Sequence, residues 1–266
     1  MKIVIEPKTY NNEILSSWLI RSSILNGSEP SSWTTMIFND NKFWSKDFDR
    51  FTEDKELIKL VKGSTKSLQE LKDMTLEPLV KKILPLEELS PKKAWTFIIS
   101  TGKRGTYKRN GTYFCPLCIE NENSFNLRRE FRLAWNTSCS IHKINLLQKC
   151  QKCNTIFTPN KIKFDNAKPF LCTNCGYDLR NSDIKGTNKE VYVFQEKLNN
   201  AIFKELKFSY KLVVKQSTLK SQTIDYLASN LEINFKNKSV TGTYKEIIPK
   251  SAKEVKILFE ELKKCL

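Results

Sequence analysis

The chain has 266 residues, 39% of them hydrophobic, with 16 Phe and 5 Trp, and a formal net charge of +16. That apolar content excludes an intrinsically disordered chain, and the length suits one large domain or two to three small ones. No run approaches the ~18 consecutive apolar residues of a membrane span, and the start, MKIVIEPKTYNNE, lacks a signal-peptide core, so a soluble, cytoplasmic protein without membrane partners is expected.

The charge is unevenly placed. Residues 1–100 carry 15 basic and 14 acidic side chains, residues 101–186 carry 15 and 6, and residues 187–266 carry 15 and 9. Six of the eight arginines (Arg104, Arg109, Arg128, Arg129, Arg132, Arg180) fall in the middle third. A polyanion such as nucleic acid would sit there, and a lysine-rich solvated surface is the plainer alternative.

In chain order, EILSSWLIRSSILN at 13–26 sets Ile14, Leu15, Trp18, Leu19 and Leu25 on one helical stripe stopped by Gly27. Pro30 and Ser31 open a second short helix with Trp33, Met36, Ile37 and Phe38. Both tryptophans read as core. Residues 53–84 predict helix, turn and helix, with Leu57, Leu60 and Val61 on one face, a break at Gly63-Ser64, and Leu68, Leu71 and Met74 on the next. Residues 66–75 would be the recognition helix of a DNA reader. However, residues 53–84 hold 7 basic and 6 acidic residues, including Glu70 and Asp73, so packing or protein contact fits better.

Residues 94–114 predict two strands joined by a basic hairpin carrying Lys103, Arg104, Lys108 and Arg109, candidate phosphate contacts together with Arg128 and Arg129. TGKRGT is no phosphate loop, because Phe97 and Arg104 occupy the positions that need Gly and Ser or Thr. Beyond Gly176, residues 187–210 predict an amphipathic helix (Val191, Phe194, Leu198, Ile202, Leu206), with shorter helices near 218–230 and 251–264. The expected architecture is mainly α with small zinc-ribbon β elements. It divides into an N-terminal helix-turn-helix domain (1–100), tandem zinc modules (101–186) and a helical or winged-helix-like domain (187–266).

The strongest signal is four knuckles of equal spacing: CPLC (Cys115, Cys118), CSIH (Cys139, His142), CQKC (Cys150, Cys153) and CTNC (Cys172, Cys175). The only histidine of the chain falls at cysteine spacing. In a reducing compartment such pairs bind metal, and a two-residue spacer lets a tight turn aim both side chains at one ion. Two structural Zn²⁺ ions follow, either paired consecutively as Cys₃His and Cys₄ or interleaved as in a cross-brace. Four protein ligands leave no open position for catalysis, no His-x-Glu deaminase pattern follows His142, and that committed histidine can serve no Ser-His-Asp triad. Cys265 is left over and reads as a small core residue. A nuclease built from scattered acids stays open on sequence alone.

Three stretches together resemble the TniQ family, the target-selection proteins of Tn7-like transposons: EILSSWLIRSS, STKSLQELKDMTL, and YFCPLCIENENSFNLRREFRLAWNTSCSIHKINLLQKCQKC. They span roughly residues 10–176. Phe131 stands where the family usually has tryptophan, and Lys143 and Asn154 stand where glycine usually follows a knuckle. The resemblance implies a non-catalytic adaptor that marks target DNA, or rides on an RNA-guided CRISPR effector complex, and recruits a TnsC-like AAA+ ATPase; relatives on guide complexes can be homodimers. The rival reading is a stand-alone zinc-ribbon/helix-turn-helix transcription regulator.

Overall fold

The computed structural model describes residues 3–50, 52–81, 98, 99, 101, 112–120, 125–133, 136–163 and 168–187, and, in the helical segment that follows, 189, 192, 193, 195, 196 and 199. The basic hairpin with Lys103, Arg104, Lys108 and Arg109 lies outside these residues, as do Cys265 and the expected C-terminal domain beyond 199. The described part is mainly helical. Five α-helices come first: α1 (Leu15–Leu25), α2 (Pro30–Phe38), α3 (Asp54–Val61), α4 (Leu68–Asp73) and α5 (Glu77–Val80). A 3₁₀ turn, Phe43–Ser45, lies between α2 and α3, others follow α5, and β structure among the described residues is limited to single antiparallel bridges.

The chain folds as two compact units, each assembled from non-consecutive stretches. One comprises Met1–Glu77, Ser100–Arg132 and Leu146–Ile184; the other comprises Pro78–Ile99, Leu133–Asn145 and Lys185–Leu266.

The first unit is centred on Leu15, Trp18, Leu19, Trp33, Phe38, Phe43, Phe48, Leu57, Leu60 and Leu71, drawn from α1 to α4 and the turn after α2. Trp18 and Trp33 are fully buried, as their helical stripes predict. Leu25 and Met36 depart from the stripe and are about half exposed. The α1 helix ends as Gly27 predicts. Gly27 has φ +66°, its N–H donates to Ile24 O, and Ser28 N–H donates to Ser23 O, so two orphan carbonyls are satisfied by the Schellman arrangement.

The start of α1 has no local cap. Leu15 N–H donates to Met74 O, and Ser16 N–H donates at 2.8 Å to the carboxylate of Asp49, 33 residues away. By contrast, α4 is capped by its own sequence: Ser67 Oγ accepts from Glu70 N–H, and Glu70 returns a carboxylate to Ser67 N–H at 2.7 Å. Glu70 is therefore spent on capping. The α3–turn–α4 order matches the sequence expectation, and α4 is only six residues long.

Candidate metal centres

Three of the four knuckles share one backbone design. In CSIH, CQKC and CTNC the first cysteine's N–H donates to the carbonyl two residues after the second ligand: Cys139 to Ile144, Cys150 to Thr155 and Cys172 to Tyr177, at 2.8–2.9 Å. The residue after the second ligand returns its N–H to the first cysteine's carbonyl: Lys143 to Cys139, Asn154 to Cys150 and Gly176 to Cys172. One antiparallel bridge closes each turn: Ser138 with Asn145, Lys149 with Ile156 and Leu171 with Asp178.

This design forces a left-handed backbone at one place. Lys143, Asn154 and Gly176 have φ of +53°, +58° and +69°. A glycine is favoured there because it carries no Cβ, asparagine is tolerated, and lysine is strained. Two of the three departures noted above, Lys143 and Asn154, thus fall on the same backbone position.

CPLC is built differently, as a 3₁₀ turn over Pro116–Ile119 with Cys118 N–H donating to Cys115 O at 3.0 Å. Its backbone is tied on the N-terminal side, where Phe114 and Leu147 exchange both hydrogen bonds of a bridge.

The ligand atoms gather into two clusters. Cys115, Cys118, Cys139 and His142 form one, and Cys150, Cys153, Cys172 and Cys175 the other, with the ligand atoms of each within 4.8 Å of one another. The pairing is consecutive. A tetrahedral ion with metal–sulfur bonds of about 2.3 Å and metal–nitrogen bonds of about 2.0–2.1 Å sets S···S edges near ~3.8 Å and S···N edges near ~3.5 Å. The Cys150–Cys175 and Cys153–Cys172 sulfurs are 3.7 and 3.6 Å apart, and Cys139 Sγ lies 3.5 Å from His142 Nδ1. The donor sets fit two four-coordinate ions, and His142 presents Nδ1 to its cluster.

Burial pushes the Cys172 thiol up to about 12 and raises Cys150 as well, while hydrogen bonds from Thr155 hold Cys153 down at about 5. Four touching sulfurs cannot all be thiolates unless a dication lies among them. The backbone is prepared for thiolates: Cys150 Sγ accepts N–H groups from Lys152 and Cys153, and Cys172 Sγ accepts them from Asn174 and Cys175.

The four described arginines of the middle third are engaged within the first unit. Arg132, in the stretch FRLAW, pairs with Asp47 at 2.6 Å and with Asp49 at 3.1 Å; its side chain is 3% exposed and theirs 7% and 4%. Arg129 donates to Asn12 Oδ1 at 2.9 Å and to Asp73 O. Arg128 Nε lies 3.2 Å from Glu130, an ion pair by distance that lacks hydrogen-bond alignment. Arg180 grips the Asp178 carboxylate, which it holds below its ordinary range, and stacks 3.7 Å over Phe170. The exposed residues around the ligands include Lys143, Lys152, Lys161, Lys168 and Lys185, together with uncharged ones such as Ile141, Gln151, Asn154 and Asn174.

The N-terminal signature is likewise a buried network. Glu13 accepts from Ser17 Oγ at 2.8 Å, from Tyr10 N–H and from Arg21 at 2.7 Å, and burial raises its pKa in spite of Arg21. Ser17 Oγ accepts Leu127 N–H, and Trp18 Nε1 donates to Pro7 O. Residues 12–14 pair with 127–129 through Ile14 N–H to Leu127 O and Arg129 N–H to Asn12 O. Glu13, Ser17, Trp18 and Arg21 therefore clamp the stretch before the first helix and the stretch before Arg132 onto α1.

Two sets of four ligand atoms, each within 4.8 Å of one another, are consistent with two metal sites. The family model for TniQ matches residues 4–146, more than half of the chain, and the chain belongs to the TniQ family. No curated protein matches the chain as a relative. Among the described residues no helix is long and apolar enough to cross a membrane.

Proposed function

We propose that this chain is a non-catalytic target-selection adaptor of a Tn7-like transposition system, with two structural Zn²⁺ ions. The observation that carries the reading is the family match over residues 4–146, within which the signature residues serve packing and metal ligation. Each metal has four protein ligands, which suits a scaffold. The adaptor links a target site, read directly or through an RNA-guided effector complex, to a TnsC-like AAA+ ATPase. Nucleic acid is met through backbone phosphates, by exposed lysines beside the knuckles and by the basic residues Lys103, Arg104, Lys108 and Arg109. Arg128 and Arg129 have their main contacts inside the protein and contribute less.

Fluorescence anisotropy of the zinc-loaded chain with duplex DNA, repeated across salt concentrations, tests this. Backbone contact gives weak, sequence-indifferent binding that falls with log[salt] at a slope of about −0.9 per phosphate neutralised. Co-purification with a TnsC-like AAA+ ATPase tests the other end. Discrimination of one site by ~10³-fold or more would instead make the chain a base reader, either a TnsD-like direct reader of the target or the transcription regulator.

A further inference from the structure

The helical segment that begins near Lys189 meets the CSIH knuckle through three residues spaced three and four apart, Tyr192, Gln195 and Asn199, which share one helix face. Gln195 is 2% exposed. Its Oε1 accepts the backbone N–H of Thr137 at 2.9 Å, the N–H of Ser138 at 3.1 Å and Ser138 Oγ at 3.1 Å, and its Nε2 donates to Ser138 O at 3.0 Å. Tyr192 Oη donates to Ser140 O at 3.2 Å, the Lys143 ammonium lies 5.2 Å from the Tyr192 ring, and Asn199 Nδ2 donates to Asn136 Oδ1 at 2.9 Å. All of these residues belong to the second unit.

These contacts fall where the knuckle has none of its own. Thr137 and Ser138, 3% and 1% exposed, lead directly into Cys139. The bridge of Ser138 to Asn145 leaves the amide and carbonyl of Ser138 outside the knuckle's own hydrogen bonds, which run from Cys139 and Lys143. The carboxamide of Gln195 supplies both partners at once, as an adjacent strand would. It thereby fixes the peptide plane from which the Cys139 side chain departs.

We infer that Gln195 is a positioning residue for Cys139 in the Cys₃His centre, and that the helix carrying it is docked by the metal-bound form of the CSIH knuckle. Metal holds Cys139 and His142 in the turn that Gln195, Tyr192 and Asn199 recognise, and the helix in turn holds the turn in the ligating shape. Binding of metal and docking of the helix are then linked, each strengthening the other. The helix carrying Gln195 becomes a reporter of metal occupancy at one of the two centres. This goes beyond the adaptor reading and rests only on the clusters taking up metal.

The test uses the full chain loaded with Co²⁺ in place of zinc, in which S₃N and S₄ centres separate by the wavelengths of their d–d bands. Gln195→Ala should release Co²⁺ from the Cys₃His centre to EDTA roughly 10- to 100-fold faster, as loss of an outer-shell partner does, and leave the Cys₄ band at its original rate. Gln195→Glu, which keeps the acceptor and loses the donor to Ser138 O, should fall between them. In the unaltered chain, removing metal should expose Lys189 to trypsin, and restoring Co²⁺ should protect it. The inference is overturned if both bands decay at unaltered rates in Gln195→Ala, or if both accelerate equally. It also fails if Lys189 is cut equally with and without metal. A chain that takes up no Co²⁺ would overturn the metal reading itself and this inference with it.

Discussion

Replacing Arg132 by methionine asks what its buried guanidinium contributes to the first unit. The guanidinium lies between two buried carboxylates, Asp47 and Asp49. Burial raises Asp49 to about 6 against the attraction of Arg132, and the Asp47 charge adds to the rise. A shift of roughly two units corresponds to about 3 kcal/mol of folding stability that is lost when Asp49 ionises. Because the folded value exceeds the unfolded one, this contribution is complete below pH ~4 and is gone once the pH has risen through about 6. Without Arg132 the folded value of Asp49 climbs further and Asp47 is stranded beside it. The expected penalty for Arg132→Met is 3–5 kcal/mol at pH 8, the cost of an uncompensated buried charge, shrinking to about half near pH 5, where Asp49 is mostly protonated in both proteins. Urea unfolding of the two zinc-loaded proteins at both pH values reads this out, and taking their difference cancels the thiolate protonation common to both. Adding Asp49→Asn should recover part of the loss at pH 8. A penalty below about 1 kcal/mol, or one equal at both pH values, would refute the reasoning.

Metal analysis should return two zinc ions per chain, and Cys172→Ser should lower the count to one, with tryptic cleavage opening around residues 150–182 while the helical N-terminal part stays protected. Ser67→Ala should lower stability by about 1 kcal/mol through loss of the α4 cap, measured by thermal unfolding, whereas Ser67→Asp should nearly preserve it. At Gly176, where an added Cβ would meet nothing within 4 Å, alanine should cost about 1 kcal/mol from backbone conformation alone. Asparagine there should cost only a few tenths, since Asn154 already occupies the sister position. Equal costs for alanine and asparagine in denaturant titrations would contradict the shared-turn reading.

Much of the centre was legible because metal ligation imposes spacing. Four pairs at two-residue spacing, one of them using the only histidine, mark eight ligands without any tertiary information. Gly27, Trp18 and Trp33 were legible for a related reason, since each acts through neighbours within one or two helical turns. Leu25 and Met36 fit the apolar period yet remain exposed, because nothing among the described residues of the first unit covers that end of each helix.

The roles of the arginines were not legible. A basic excess in the middle third reads as a nucleic-acid surface, and composition cannot distinguish an arginine facing solvent from one paired inward. Arg132 with Asp47 and Asp49 joins positions 83 to 85 residues apart, and Asp49 caps a helix that begins 34 residues before it. Gln195 and Ser138 are 57 residues apart, and neither stands in a recognisable pattern.

The identity of the eight ligands, the stop of α1 and the start of α4 are all written locally, because each depends on short-range geometry that a few neighbours impose. Folding settles the rest: which knuckles share an ion, and which charges are spent inside. It also explains why a left-handed turn follows each of three knuckles. Those features depend on backbone groups and carboxylates that only the folded chain brings within hydrogen-bond distance.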